Sequence, residues 1–206
     1  MIAIVDYKAG NLTSVKRALD HLGIQGCITA DPQEVRRAER IIFPGVGHAG
    51  SAMAVLRERG LDQALREAFE RGTPILGTCV GAQISLSHSE EGDTACLGLI
   101  AGECARFRLA DAALKIPHMG WNEVHFVKPH PVLKGIPDGA EFYFVHSYYL
   151  RPNDDACVYG TCEYEINFPA IVGQRNLIAT QFHSEKSGPV GLAILRNFAG
   201  WSGSEC

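Results

Sequence analysis

The stretch Thr73-Pro-Ile-Leu-Gly-Thr-Cys79-Val-Gly-Ala-Gln83 predicts a short buried strand, a tight turn and the start of a helix. Gly77 and Gly81 flank Cys79 in the pattern G-x-C-x-G, the cysteine form of the strand-turn-helix elbow that exposes a nucleophile above a sheet. Small neighbours are needed because such a turn is strained. Unpaired N–H groups at a helix start favour the thiolate. We therefore expect Cys79 to be a nucleophile.

Strands and helices alternate before this elbow. Apolar runs predict three strands, and two segments between them have helical spacing of apolar residues, the first with Asn11 as N-cap and the second opening at Asp31-Pro32. Strands that alternate with helices favour a mostly parallel sheet covered by helices on both faces. The predicted strands are Met1–Asp6, Gln25–Thr29 and Arg40–Phe43, and two further helices are predicted over Ser51–Arg59 and Leu61–Glu70.

The second half of the chain is rich in β-forming residues separated by polar or proline-containing turns. We expect these segments to be antiparallel or mixed strands added to the central sheet. A helix over Ser187–Phe198 closes the chain, and no repeat or long linker divides it, so residues 1–206 are predicted to form one domain. The predicted strand segments are Leu97–Phe107, Trp121–Val127, Glu141–Leu150, Ala156–Tyr164 and Ala170–Gln181.

Composition excludes several classes of partner. The 206 residues carry a net charge of −4 and a sequence pI near 6.1, which disfavours nucleic acid and anionic membranes. No apolar run reaches the roughly 18 residues of a membrane span. The seven cysteines are an odd number without a C-x-x-C pair, which is typical of reduced thiols. We expect a cytoplasmic protein without a metal or cofactor, and with no nucleic-acid or membrane partner.

A thiolate nucleophile needs a base, and the best candidate is Gln181-Phe-His183-Ser-Glu185. At the end of a strand, positions 183 and 185 point to the same side. Glu185 can then hold one imidazole nitrogen of His183 while the other faces Cys79. The alternative is a buried thiol and a histidine satisfied by structural contacts, which holds for most isolated cysteines and histidines.

Acyl transfer also needs N–H donors for the developing oxyanion. The Val80 N–H, directly after the nucleophile, is one candidate. The other is the backbone of Pro44-Gly-Val-Gly47, at the end of a neighbouring predicted strand, where glycines allow a peptide to turn towards a substrate. An ordinary strand-to-helix turn is the alternative for that segment.

Taken together, these residues resemble the class I glutamine amidotransferases, which have a flavodoxin-like α/β fold. More narrowly, the chain resembles the glutaminase subunits of imidazole glycerol phosphate synthase, from residue 1 to about 198. The blocks that carry the resemblance are Gly77-Thr-Cys79-Val-Gly81-Ala-Gln83, Phe182-His-Ser-Glu185, Met1-Ile-Ala-Ile-Val-Asp-Tyr7, Gly10-Asn-Leu12, Phe43-Pro-Gly-Val-Gly47, Pro117-His-Met-Gly-Trp-Asn122 and Tyr143-Phe-Val-His-Ser-Tyr148.

The resemblance implies hydrolysis of glutamine to glutamate and ammonia. Cys79 would attack the carboxamide, His183 would shuttle the proton, and Glu185 would orient His183. The other implied contacts are the oxyanion donors Val80 and Gly47 and the glutamine-binding positions Gln83, Ser147 and Tyr148.

The resemblance also implies a partner. Family members pass ammonia to a (β/α)8-barrel cyclase, a lyase of histidine biosynthesis, and this cyclase stimulates the glutaminase. Because 206 residues leave no room for that barrel, we expect it to be a separate chain that forms a heterodimer with this one. The expected interface residues are Trp121, Asn122, His118, Asn11 and Lys186. From the residues alone, the favoured interpretation of Trp121 is a core residue that starts a strand.

Other functions remain open at this level. The chain could feed ammonia to a different synthase, such as one that modifies a sugar, or act as a non-catalytic scaffold; the elbow alone also permits a cysteine peptidase. Departures from the common family pattern bear on these alternatives. They are Thr78, Val80 and Ala82 in the elbow, Ser184 where proline is usual, and Lys8 where a small residue is common.

Overall fold

The computed structural model describes residues 1–8, 10–111 and 113–204. Strands and helices alternate in its first half, and strands dominate the second. The strands are β1 (Ile2–Val5), β2 (Gly26–Thr29), β3 (Arg40–Phe43), β4 (Ile75–Thr78), β5 (His88–Ser89), β6 (Thr94–Ala95), β7 (Gly102–Arg106), β8 (His118–Phe126), β9 (Ala140–His146), β10 (Tyr148–Pro152), β11 (Val158–Tyr164), β12 (Ile166–Gln174) and β13 (Leu177–Thr180). The helices are α1 (Leu12–His21), α2 (Pro32–Arg37), α3 (Ala49–Glu58), α4 (Leu61–Glu70), α5 (Val80–Gln83) and α6 (Gly188–Gly200).

Nine strands form the central sheet, in the order β2-β1-β3-β4-β13-β12-β11-β8-β9. The first five of these run parallel to their neighbours, and the remaining pairs are antiparallel. The predicted α/β fold, with a parallel core and added antiparallel strands, is confirmed. Strands β4 and β13 pair in parallel, so their carboxyl ends meet at one edge. Cys79 and His183 follow those two ends.

Helices cover both faces of the parallel strands. Along β3, Ile41 and Phe43 pack with residues of α2, α3 and α4, whereas Ile42 packs with residues of α1 and α6. This alternation follows from the period of two in a strand. In α4 the buried Leu61, Leu65, Ala68 and Phe69 recur at helical spacing and define the face that meets the sheet.

A second, four-stranded sheet was not anticipated. Strands β10, β7, β5 and β6 form it in that order, so the segments predicted over Leu97–Phe107 and Glu141–Leu150 do not simply extend the central sheet. The second segment divides at Ser147: β9 ends in the central sheet at residue 146, and β10 begins in the small sheet at residue 148. Residues of the expected strand before Gly102 instead form a buried irregular segment.

Two further local expectations were wrong. The segment predicted over Ala170–Gln181 divides at Arg175, whose positive φ of 56° turns the chain between β12 and β13. Asn11 precedes α1 as predicted, but its own φ is 78° and its side chain does not cap the helix. No helix in the described part of the chain has the length and apolarity needed to cross a membrane.

Candidate active site

The turn that holds Cys79 is strained in the way the flanking glycines predict. Cys79 has φ 51° and ψ −114°, a backbone conformation that non-glycine residues rarely adopt. Gly81 allows the turn to lie close to β3, because a Cβ there would stand 1.9 Å from the Phe43 carbonyl oxygen. Thus β4 ends, the thiol is presented, and α5 begins within two residues.

His183 and Glu185 form a buried pair at the end of β13. The His183 Nδ1 lies 2.7 Å from the Glu185 Oε1, and each side chain is only 1% exposed. The Asn11 amide donates a hydrogen bond to the same carboxylate, which accounts for the absence of a helix cap at Asn11. Among the described residues, the His183 Nε2 has no hydrogen-bond partner.

The surroundings of His183 favour its charged form. Burial lowers the pKa of His183, but the contacts with Cys79 and with Glu185 outweigh burial and raise the pKa to about 10. The imidazole therefore carries a proton at neutral pH, with the carboxylate on one side and the thiol group on the other.

One cavity of about 290 Å³ brings the predicted residues together. Cys79 and His183 share its wall, and Glu185 lies behind His183. This volume accommodates a small, polar substrate rather than a folded peptide chain. The lining residues are Val46, Gly47, Cys79, Val80, Gln83, Glu91, Pro117, Val145, His146, Ser147, Tyr148 and His183.

The segment after β3 reaches the cavity through its backbone. The Val80 N–H donates to the Gly45 carbonyl over 3.4 Å, and the buried Tyr7 hydroxyl donates to the Pro44 carbonyl over 2.7 Å. Burial and the neighbouring Cys79 raise the pKa of Tyr7 well above its ordinary range, which keeps this donor protonated. Gly47 is exposed with φ +103°, where a side chain would be strained.

Gln83 and Glu91 add polar groups to the wall. The Gln83 Nε2 donates to the Tyr148 carbonyl over 3.1 Å and lies 3.3 Å from the Gln181 Oε1. The Glu91 carboxylate accepts the Ala49 N–H at the start of α3 over 2.6 Å. Sequence reasoning missed Glu91, since nothing in its local pattern separates it from the other acidic residues.

The expected partner-binding residues divide into exposed and buried ones. Trp121 is 53% exposed on β8, so the alternative that it is a core residue is wrong. Lys186 is exposed and its Nζ lies 5.9 Å from the centre of the Tyr143 ring, which also contacts Trp121. Asn122 and Asn11 are half-buried. His118 is only 3% exposed, so the structure places it in the interior and not on this surface.

The family departures have simple structural settings. Thr78, Val80 and Ala82 are buried behind Cys79, and the Thr78 hydroxyl has no hydrogen-bond partner among the described residues. Ser184 is buried at the start of a 3₁₀ turn. Lys8 has φ 64°, which explains why a small residue suits that position.

Within residues 1–8, 10–111 and 113–204, no cluster of three or more histidine, cysteine, aspartate or glutamate side chains has the geometry to hold a metal ion. The reactive side chains that meet at the cavity are the Cys79 thiol and the His183 imidazole, with the Glu185 carboxylate behind the imidazole.

Comparison with known proteins gives concordant results. Residues 3–200 match the glutamine amidotransferase class-I family. The subunit HisH of imidazole glycerol phosphate synthase from Nitratidesulfovibrio vulgaris is 53% identical over 203 residues, covering 96% of this chain and 95% of that protein. The same subunit from Dehalococcoides mccartyi is 48% identical over 199 residues, with 96% of each chain covered.

Solved structures show the same fold at lower identity. A crystal structure of a glutamine amidotransferase superposes with a TM-score of 0.76 at 20% identity and covers 98% of this chain and 100% of that one. The structure of PurLQS from Thermotoga maritima also gives a TM-score of 0.76 at 20% identity, with 97% of each chain covered. At this level of identity the likeness extends to the fold alone.

Proposed function

We propose that this chain, which belongs to the class-I glutamine amidotransferase family, is the glutaminase subunit of an imidazole glycerol phosphate synthase. It hydrolyses glutamine to glutamate and ammonia. The observation that carries the proposal is the cavity that Cys79, on its strained elbow, shares with His183, which is paired with the buried Glu185. The near-full-length similarity to HisH subunits supports the choice of synthase over an enzyme that modifies a sugar.

The first half of the reaction forms a thioester. The Cys79 sulfur, as a thiolate, attacks the carboxamide carbon, and the C=O electron pair moves to the oxygen. The N–H groups of Val80 and Gly47 stabilise that oxyanion. When the tetrahedral intermediate collapses, the C–N bond breaks and protonated His183 gives its proton to the leaving nitrogen, which departs as ammonia.

The second half releases glutamate. His183, now neutral, accepts a proton from a water molecule whose oxygen attacks the thioester carbon. The C–S bond then breaks, Cys79 leaves as the thiolate, and His183 is again protonated. One water is consumed, and the products are one ammonia, one glutamate and the proton that the new γ-carboxyl group loses to solvent. Glu185 orients the imidazole and stabilises its cation in both halves, because its carboxylate accepts from the Nδ1.

Polar groups of the cavity wall suit the two charged ends of glutamine. Gln83, Ser147 and Tyr148 form one side of the wall, where the Ser147 hydroxyl and peptide N–H groups can donate to the α-carboxylate. The Gln83 Nε2 donates to the Tyr148 carbonyl and holds this side in place. The Glu91 carboxylate lines the same cavity and supplies the negative charge that an α-ammonium group requires. An apolar slot would leave both charges unpaired.

The position of the Val80 N–H supports regulation by a partner. This donor is engaged by the Gly45 carbonyl, so Pro44–Gly47 must move before Val80 and Gly47 can both meet an oxyanion. A partner that shifts the segment would raise the rate without touching Cys79. We infer that the isolated chain is a weak glutaminase and that its cyclase partner stimulates it.

Exposed residues near the cavity support a place for that partner. Trp121 and Lys186 form a surface beside Tyr143, and Asn11 donates to the carboxylate of Glu185, the residue before Lys186. Exposed aromatic and cationic side chains are typical of interface anchors. The proposed partner is a separate (β/α)8-barrel cyclase, a lyase that receives the ammonia through a channel in the heterodimer. It uses the ammonia in histidine biosynthesis to form imidazole glycerol phosphate and an aminoimidazole carboxamide ribotide. The pair is expected in the cytoplasm.

A single assay tests nucleophile, partner and pathway. Glutamate and ammonia release is measured for the chain alone, with the cyclase subunit, and with that subunit carrying its ribotide substrate, and Cys79→Ala serves as the control. We expect little release from the chain alone, strong stimulation in the full mixture, and none from Cys79→Ala. Equal rates with and without the cyclase would refute the regulation, and full activity of Cys79→Ala would refute the nucleophile.

A further inference from the structure

Two buried histidines that take no chemical part in the reaction lie side by side, His146 in the wall of the cavity and His118 behind it. The His118 Nδ1 is 2.9 Å from the His146 Nε2, and the two residues are 3% and 5% exposed. At the far ends of the pair, the His146 Nδ1 lies 2.7 Å from the Tyr148 carbonyl oxygen and the His118 Nε2 lies 3.3 Å from the Asn122 amide nitrogen. Four groups therefore form one continuous chain of hydrogen bonds.

The contact with Tyr148, at the cavity end of this chain of hydrogen bonds, determines which ring nitrogens of His146 and His118 carry a hydrogen. A carbonyl oxygen can only accept, so the His146 Nδ1 must carry the hydrogen that it shares with Tyr148. In a neutral imidazole the Nε2 is then an acceptor, which requires a proton on the His118 Nδ1. The His118 Nε2 is in turn an acceptor, and it needs a donor on its other side.

The contacts of Asn122, at the surface end of this chain of hydrogen bonds, independently give the same direction of donation. The Asn122 Oδ1 accepts the Glu123 N–H over 2.9 Å, and the Asn122 Nδ2 donates to the Glu163 carbonyl over 2.9 Å. Both bonds orient the amide so that its NH₂ group, and not its oxygen, faces His118. Donors therefore run in one direction from Asn122 through His118 and His146 to Tyr148.

The surroundings keep both rings neutral. Burial lowers the pKa of His118 to about 4. Burial, reinforced by the positive charge of His183, outweighs the bond to the Tyr148 carbonyl and lowers the pKa of His146 to about 3. The His118 ring also stacks between Phe144 and Tyr164, at centroid distances of 4.9 and 4.1 Å. An added proton would convert an acceptor nitrogen into a donor that faces another donor, and one hydrogen bond of the series would be lost.

We propose that His118 and His146 are positioning residues that hold the glutamine-binding wall in place by this one-directional chain of hydrogen bonds. The Tyr148 carbonyl receives both the His146 Nδ1–H and the Gln83 amide, so its two lone pairs are used and the peptide cannot rotate freely. The chain thus connects the wall of the cavity with Asn122, one residue from the exposed Trp121. The identity of the substrate held by this wall rests on the proposed function, whereas the hydrogen bonds of His118 and His146 do not depend on it.

Imidazole ¹⁵N NMR tests the chain directly on the wild-type protein. Nitrogen shifts and couplings to the ring protons show which nitrogen of each histidine is protonated. We expect both His118 and His146 to be Nδ1–H tautomers that stay neutral at pH 5.5. An Nε2–H tautomer or a charged ring at either buried position would overturn the proposal. This measurement needs no variant and no activity.

Steady-state kinetics of the complex with the cyclase test the positioning role. We expect His146→Leu to raise the KM for glutamine about tenfold, the equivalent of one buried hydrogen bond at about 1.4 kcal/mol, with kcat within about threefold of wild type. His146→Asn keeps a donor at the Nδ1 position and should recover most of the KM. His125→Leu, on the outer side of β8, is the matched control and should leave both constants unchanged.

The outcomes separate this proposal from the proposed function. Alkylation of Cys79 by iodoacetamide reports on the thiol without requiring glutamine, and we expect an unchanged rate in His146→Leu. An unchanged KM in His146→Leu, or equal losses in kcat and in alkylation, would overturn the positioning role. If the wild-type complex releases no glutamate, the proposed function fails. The NMR measurement of the tautomers still shows whether the hydrogen bonds from Asn122 to Tyr148 run in the proposed direction.

Discussion

Replacing Glu185 with glutamine tests the most buried charge interaction of the cavity. The change preserves the shape of the side chain but removes the carboxylate that lies 2.7 Å from the His183 Nδ1, with both side chains 1% exposed. A hydrogen bond between charged partners in such a setting contributes about 1.5–3 kcal/mol. If that stabilisation is lost in the transition state, kcat falls about 10- to 150-fold. The same loss lowers the pKa of His183 by about 1–2 units.

Glutamate release in the presence of the cyclase measures the first effect, and ¹⁵N NMR titration of His183 measures the second. Glu123→Gln is the matched control, because Glu123 also lies beside a histidine, at 3.7 Å from His125, but both side chains are more than half exposed. We expect the control to change neither quantity. A kcat within threefold of wild type for Glu185→Gln, or an unchanged pKa of His183, would refute the reasoning.

The same pair makes stability depend on pH in a defined direction. The pKa of His183 is raised from 6.5 to about 10, so the folded chain holds this proton more tightly than the unfolded chain. The stabilisation is therefore complete below about pH 6.5 and is lost as the pH rises towards 10. In Glu185→Gln that loss is expected at a lower pH, which unfolding experiments at several pH values can measure.

Three further predictions concern the surface, the turn and the buried histidines. Trp121→Ala should weaken binding of the cyclase, measured by titration, about 30-fold or more. It should leave the melting temperature unchanged, because Trp121 is 53% exposed. The control Trp201→Ala, at a residue only 3% exposed, should lower the free energy of unfolding by about 3–5 kcal/mol. Ser184→Pro should stabilise the chain by about 0.4–1 kcal/mol, since proline fits the first position of the 3₁₀ turn and restricts the unfolded chain; Ser184→Ala, which lacks that restriction, should show less of the gain in calorimetry. The free energy of unfolding should decrease as the pH falls from 6.5 towards 4, because folding lowers the pKa values of His118 and His146 to about 4 and about 3. Close to two protons should be taken up on unfolding in this range. A free energy of unfolding that does not change with pH there would contradict the prediction.

Local patterns predicted the elements that surround Cys79. The G-x-C-x-G spacing reports a backbone conformation, and the observed φ of 51° at Cys79 shows that the predicted strain is present. The alternation of apolar strands with amphipathic helices likewise depends on neighbours in the chain, and it led to the parallel half of the sheet. The expectation that His183 serves Cys79 came from the need of a thiolate for a base and from the spacing of His183 and Glu185 at a strand end. The parallel pairing of β4 and β13, which brings the two residues together, was seen only in the structure.

Long-range pairing explains what the sequence did not reveal. The segment around Ser147 is β-forming on both sides, and nothing local indicates that one half joins the central sheet and the other the small sheet. His118 stands beside exposed residues in the sequence, yet the strand alternation turns it inwards, where it meets His146 from another strand. Glu91 was missed for the same reason, since its part in the cavity depends on the pairing of β6 with β5 and of β5 with β7.

The passage of the chain between the two sheets at Ser147 limits how this protein can change in length. A single residue separates β9 from β10, and it lies in the wall of the cavity. An inserted or deleted residue there would shift the register of one strand and turn its buried side chains outwards. Drift in loop length should therefore be tolerated at the outer turns of the small sheet, and a circular permutation that opens the chain at Ser147 should fail to assemble the glutamine wall.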